Sequence, residues 1–251
     1  MWSQKRGWLL CVSALVFLTA NVASAAVVGI SESGLGGDTP AVLEVAPNLF
    51  DEDMPSFSDR THQHNGAAYN SVTGLLTTTV DSNTVIVPLP DYLVGGEYVR
   101  MANNARDNAS YELSITVDTP SYLYVLIDNR LDGPNDEKVD AAYATPPILG
   151  GDLQWVIDDG YVIMNTGLMP DGQPDFTGVD EGGDGTGPGQ GLNQFYTIFM
   201  REIPVGTSTT SQQGIGGSNM YSVVVVEVPE PATLGLLAIG AFGVLIRRKR
   251  R

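Results

Sequence analysis

Polar and apolar residues alternate most clearly over residues 111–118. Tyr111, Leu113, Ile115 and Val117 fall on one side, and Glu112, Ser114, Thr116 and Asp118 on the other. A period of two marks a strand with one buried face. Phe195, Thr197, Phe199 and Arg201 interleave with Tyr196, Ile198 and Met200, which predicts a strand buried on both sides at its middle. Residues 122–127 are almost wholly apolar, as in a central strand, and Thr119-Pro120-Ser121 predicts a tight hairpin joining it to the strand before. Further β-rich runs bounded by turn residues occupy 71–79, 84–88, 98–102, 154–157, 161–165, 207–212 and 221–227. Residues 26–68 read as an irregular segment with one short strand near 41–45, and 69–227 as the strand-bearing domain. Residues 171–191, rich in Gly and Asp, read as a flexible loop unable to bury apolar area. No segment keeps a 3.6-residue period and no long repeat stands out. The expected fold is all-β, an antiparallel β-sandwich of jelly-roll type.

The two ends break this pattern. Lys5 and Arg6 precede an apolar run over residues 7–20, and Ala23-Ser24-Ala25 places small residues at a cleavage site. Residues 1–25 therefore read as a secretory signal peptide, cut after Ala25 by the secretion machinery. At the other end Val228-Pro229-Glu230-Pro231 leads into residues 232–246, which carry no charge, and then Arg247, Arg248, Lys249, Arg250 and Arg251. Fifteen helical residues reach about 22 Å at 1.5 Å each. That is short of the roughly 20 residues a bilayer core asks for. Snorkelling arginine stems extend the reach to a single transmembrane helix with the cations cytoplasmic. The prolines lack N–H donors and hold their neighbours extended, so the Pro-Glu-Pro stretch lies open at the membrane face.

This order of motif, apolar run and basic terminus resembles the PEP-CTERM sorting signal of exopolysaccharide-producing Gram-negative bacteria. The resemblance implies recognition by an exosortase, a membrane processing enzyme, with cleavage near the Pro-Glu-Pro. It also implies membrane anchoring before processing and delivery afterwards to the cell surface or extracellular matrix, beside extracellular polysaccharide.

Removal of the leader takes Cys11, the single cysteine, so no disulfide can hold the exported domain. Seven of the 13 Lys and Arg lie in the two terminal segments. Residues 26–227 therefore carry 28 Asp and Glu against 6 Lys and Arg, a net charge of −22. Such a domain repels nucleic acid and anionic headgroups, which excludes nucleic-acid partners.

Candidate chemistry is sparse. Asp128, Asp132 and Asp136 form an oxygen-rich set suited to calcium, although Arg130 and Val139 occupy positions an EF-hand loop gives to ligands. The alternative is that Asp128 pairs with Arg130. Asp171, Asp175, Asp180, Glu181 and Asp184 form a second acidic set, and His62 and His64 lack a third partner for a transition metal. No Gly-x-Ser-x-Gly elbow or dinucleotide fingerprint appears, and the chain reads as non-enzymatic, with no cofactor beyond the calcium alternative. Residues 122–130, Pro146-Pro147, Trp155, Tyr161, residues 199–206 and Met220-Tyr221 resemble accessory β-sandwich modules of secreted carbohydrate-active proteins, which have a galactose-binding-like jelly-roll fold. That resemblance implies glycan contact through Trp155 and Tyr161, in a calcium-assisted carbohydrate-binding module as the alternative function. A glycan-processing enzyme is the third reading.

Overall fold

The structure, a computed structural model, describes residues 26–140, 143–183, 185 and 187–229. The expected signal peptide and the expected membrane helix at 232–246 lie outside these residues. Among the described residues no helix is long and apolar enough to cross a membrane.

The chain is built from strands with few helices. The first six are β1 (Val27–Ser33), β2 (Val42–Glu44), β3 (Gln63–Asn65), β4 (Ala67–Asn70), β5 (Thr84–Val87) and β6 (Glu97–Arg100). Next come β7 (Glu112–Val117), β8 (Ser121–Asp128), β9 (Leu131–Asp132) and β10 (Glu137–Lys138). A single-turn helix, α1 (Gln154–Asp158), precedes β11 (Val162–Ile163), β12 (Phe176–Asp180), β13 (Gln194–Ile203), β14 (Gly206–Ser211) and β15 (Ser222–Glu227). One sheet runs β2-β6-β15-β8-β13-β12-β3, with β11 also paired to β13. A second runs β1-β7-β14, and β4-β5 and β9-β10 form separate hairpins. A jelly roll divides eight strands between two sheets; here one sheet holds eight and the other three.

The patterned strands fold as their periodicity predicts. In β7 every second residue from Leu113 to Val117 is buried. In β13 five successive residues, Phe195 to Phe199, are buried, because both faces of the large sheet are covered. Strand β8 sits centrally, between β13 and β15. On one face of the large sheet its register aligns Val99, Val223, Val125, Val225 and Leu123. These form a continuous core with Leu113, Ile115 and Val117 of the small sheet. Each such side chain contributes about 1.5–3 kcal/mol on full burial. The other face carries Tyr98, whose ring lies 5.2 Å from that of Phe50. A smaller core gathers Phe176 and Phe195 with Ala67, Ala68, Val87 and Leu192.

Four expectations need correction. Residues 119–121 do not close a hairpin: β7 pairs with β1 and β14, whereas β8 pairs with β13 and β15. The Pro120 turn instead carries the chain from one sheet to the other. Residues 26–68 are integral rather than irregular, since β1 pairs along β7 and Phe50 and Phe57 are fully buried. Residues 71–79 form no strand; the strand precedes them as β4. Residues 154–157 are helical. Asp159 N–H donates to Trp155 O at 2.9 Å, and Gly160 closes the turn at φ +77°, a backbone state in which glycine is favoured.

The Gly/Asp-rich stretch is also not a free loop. Buried strand β12 runs through it, with Gly178 where a Cβ would come within 2.4 Å of the Gly66 carbonyl. Beyond β12, the Asp180 carboxylate accepts N–H bonds from Gly182, Gly183 and Gly185 at 2.7–2.9 Å. Asp53 accepts from Gly187, and Asn65 accepts from Gly189 while donating to the Gly187 and Gln190 carbonyls. Acceptors at the end of β12, on β3 and in the turn at Asp53 thus satisfy glycine donors that composition alone assigns to solvent.

Candidate functional site

Asp128 ends β8 in the interior and is committed to Arg130. Its Oδ1 accepts from Arg130 Nε at 2.9 Å and from the Arg130 backbone N–H at 3.0 Å. Its Oδ2 accepts from Arg130 Nη2 at 2.5 Å and from the Asn219 N–H at 2.9 Å. Burial works against the Arg130 charge, and the bond and charge of Asp128 outweigh it, so the Arg130 pKa is raised. Arg130 also reaches Glu181 at 3.3 Å, and Glu181 accepts from Asn219 Nδ2 at 2.9 Å. Asn103 completes the network, donating to Asn219 Oδ1 and accepting from the Met220 N–H. Every oxygen of Asp128 is filled by a donor, which leaves none to ligate a cation.

Asp132 lies apart from this network, with Oδ2 accepting from Asn135 Nδ2 at 2.8 Å. Asp136 is an exposed turn residue at φ +52°. The three aspartates read as a calcium set are therefore not drawn together. Among the described residues no group of three His, Cys, Asp or Glu is placed to hold a metal ion. Of the second acidic set, Asp175 accepts from the Tyr92 hydroxyl and Thr166, Asp180 holds the glycine turn, and Asp171 is exposed. Asp184 lies outside the described residues. His64 is wholly buried, its Nε2 2.8 Å from the Tyr98 hydroxyl and 3.1 Å from Ser222 Oγ. Burial pushes its pKa down to about 3, so it stays neutral in the core. His62 packs edge-on against Phe57, and burial lowers its pKa too.

Trp155 and Tyr161 do come together. The rings meet edge to face at 5.7 Å, and Trp155 also lies 5.5 Å from Tyr221. The Trp155 indole donates to the Gln212 carbonyl at 3.0 Å, fixing the ring at the end of β14. Tyr161 is buried behind it, with the Arg201 guanidinium 4.7 Å from its ring centre. Trp155, half-buried, lines a groove of about 510 Å³ with Tyr111, Glu112, Asp152, Ser211 and Gln212. Asp152 accepts from Gln212 Nε2 at 3.0 Å. The groove therefore offers an aromatic wall, two carboxylates and a carboxamide facing solvent. Neither Glu112, Asp152 nor Gln212 stood out in the sequence, because strand β7 and α1 meet only through the fold.

The carboxyl end of the domain is fixed in the same direct way. Strand β15 lies inside the large sheet between β6 and β8, and Val228 N–H donates to the Pro120 carbonyl at 2.9 Å. Pro229 follows at the surface, with no linker between the core and the proline pair. Residues 227–251 match the PEP-CTERM protein-sorting motif. Val228 and Pro229 of that motif are described; Glu230, Pro231 and the basic residues Arg247, Arg248, Lys249, Arg250 and Arg251 lie outside the described residues. Such a sorting motif implies export and recognition by an exosortase. No curated protein matches the chain. Among solved structures a β-glucuronidase from glycoside hydrolase family 2 is similar, at 20% identity and a TM-score of 0.40. The likeness covers 79% of this chain and 14% of that enzyme's.

Proposed function

We propose that this is an exported, non-catalytic β-sandwich that reaches the cell surface or extracellular matrix through its tail. The leader after Lys5 and Arg6 takes the chain across the inner membrane, and the segment at 232–246 retains it there. An exosortase then cuts near Pro229-Glu230-Pro231 and releases the domain among extracellular polysaccharide. The observation that carries this reading is the sorting motif at 227–251, joined without a linker to the last core strand. The strong negative charge of the exported part suits a solvated extracellular protein. Intact masses of the protein recovered from native cells and from the medium test the proposal. A chain beginning at Ala26 and lacking the basic terminus is expected in the surface or medium fraction. Full-length protein free in the cytosol would end it.

The groove at Trp155 favours a second reading, contact with a neutral or cationic glycan. A half-buried indole lining a groove can stack on a sugar ring, and Glu112, Asp152 and Gln212 supply acceptors for its hydroxyls or amines. Calcium is not needed in this version, because Asp128 is occupied by Arg130.

A further inference from the structure

Glu97, the first residue of β6, is a carboxylate buried to 5% exposure in a strand of the large sheet. The Val27 N–H donates to its Oε2 at 2.6 Å, and the Ala26 backbone N–H acts on the same carboxylate. Its Oε1 meets no hydrogen-bond partner among the described residues. The charged groups around it make the position worse rather than better. Asp118, at the end of β7, and Glu227, at the end of β15, are both negative and both repel its charge. Burial and these neighbours, against the two backbone N–H groups, leave its pKa raised.

Among the described residues no side-chain cation relieves it. Residues 26–227 hold six Lys and Arg, and each is engaged elsewhere: Arg60 with Asp59, Arg100 with Glu44, Arg106 with Asp107, Arg130 with Asp128, Lys138 with Asp140 and Arg201 with Asp159. A carboxylate this buried is costly without a positive partner. Yet its backbone donors belong to Ala26 and Val27, the first two residues after the bond where the leader is expected to be cut.

We infer that Glu97 is the receptor for the α-amino group created when the leader is removed. Hydrolysis of the Ala25–Ala26 bond adds one water, leaves a carboxylate on Ala25 and an amine on Ala26, and the amine takes a proton from solvent at neutral pH. The nitrogen that was an amide beside Glu97 becomes an ammonium ion beside Glu97. It supplies the missing donor for Oε1 and cancels part of the repulsion from Asp118 and Glu227. Processing thus completes the core electrostatically, and the chain before the cut carries an uncompensated buried acid. The inference rests on the export reading above, through cleavage after Ala25.

The test uses the full-length gene product exported and processed by its host, beside a variant with one glycine inserted between Ala25 and Ala26. Intact mass first establishes the start of each chain. An amine-selective reagent at neutral pH then labels the α-amino group of each, and thermal melts are followed from pH 6 to 10. An ammonium held by Glu97 has its pKa raised above the usual value, so labelling slows by about tenfold for each unit of elevation. The sign for stability follows: the advantage over the inserted variant is full below the unfolded amine's pKa, and is lost as pH climbs through the raised one. Glu97→Gln in the processed protein is expected to restore fast labelling and remove that pH dependence. A wild-type chain starting at Ala26 that labels as fast as the inserted variant overturns the pair and leaves the export reading standing. A start at any other residue overturns both.

Discussion

Asp128 and Trp155 sit on opposite sides of the distinction between a polar group that finishes a fold and one that is left for a partner. Asp128 is fully buried, and its donors are the guanidinium and backbone of Arg130 and the Asn219 N–H. Trp155 uses its one donor on Gln212, lies edge-on to Tyr161 and tilted against Tyr221, yet still lines a groove with two carboxylates in it. An aspartate in an acid-rich stretch suggests a ligand site only until its geometry is known. A satisfied network inside a sheet is structure, whereas a half-buried aromatic ring that lines a groove remains available for binding.

The largest effect expected from breaking this contrast is at Asp128. Asp128→Ala leaves Arg130 charged in the interior with only the partly exposed Glu181, 3.3 Å away, for a partner, and is expected to cost about 3–5 kcal/mol in chemical denaturation. Added calcium is expected to leave the melting temperature of the wild-type protein unchanged. A calcium-dependent rise that Asp128→Ala abolishes would restore the metal reading, because a ligand bound only by the folded state must raise the midpoint.

His64 sharpens the same contrast on the closed side. Its pKa is about 3 in the folded chain, against about 6.5 for an unperturbed histidine. The folded state therefore binds fewer protons than the unfolded one between those values. The stability this residue contributes is full above pH 6.5 and is lost as the pH falls towards 3. Tryptophan fluorescence during acid titration should show unfolding within that window, and His64→Phe should flatten the dependence there. An unchanged acid transition in a folded His64→Phe protein would remove His64 as its cause.

The smallest structural effect and the most specific functional one belong to Trp155. Trp155→Phe keeps an aromatic ring and removes the indole donor to Gln212, so stability is expected to fall by less than about 1.5 kcal/mol. Retention on a glycan array, measured beside Asp152→Asn, is expected to drop for both variants. If the wild-type protein retains no glycan, or if retention is indifferent to both substitutions, the groove is not a sugar site.

The strands with strong alternation were readable because burial on one or both faces imposes itself on every second residue. Tyr111 to Val117 and Phe195 to Phe199 fold as their pattern predicts. What escaped was decided by distant partners. Phe176-Thr177-Gly178-Val179 carries a β-branched signal, but it is flanked by the Gly, Asp and Pro of a loop, and only pairing with β3 and β13 makes it a strand. Trp155-Val156-Ile157 looks like a strand for the same compositional reason. It turns into helix because Leu153 and Val156 are buried and Gly160 closes the turn. Of the two aromatic residues singled out in the sequence, Trp155 lines the groove and Tyr161 is buried behind it, whereas Glu112 and Gln212 reach the groove from β7 and the end of β14, far off in sequence.

The turn at Pro120 has a bearing on how such a cargo is finished. Asp118 N–H donates to the Ala26 carbonyl, and two residues later the Pro120 carbonyl accepts from Val228 N–H, so the chain enters and leaves the domain at one corner. On the reading proposed above, both cut ends would then lie on the same face of the folded domain, beside Ala26 and Pro229.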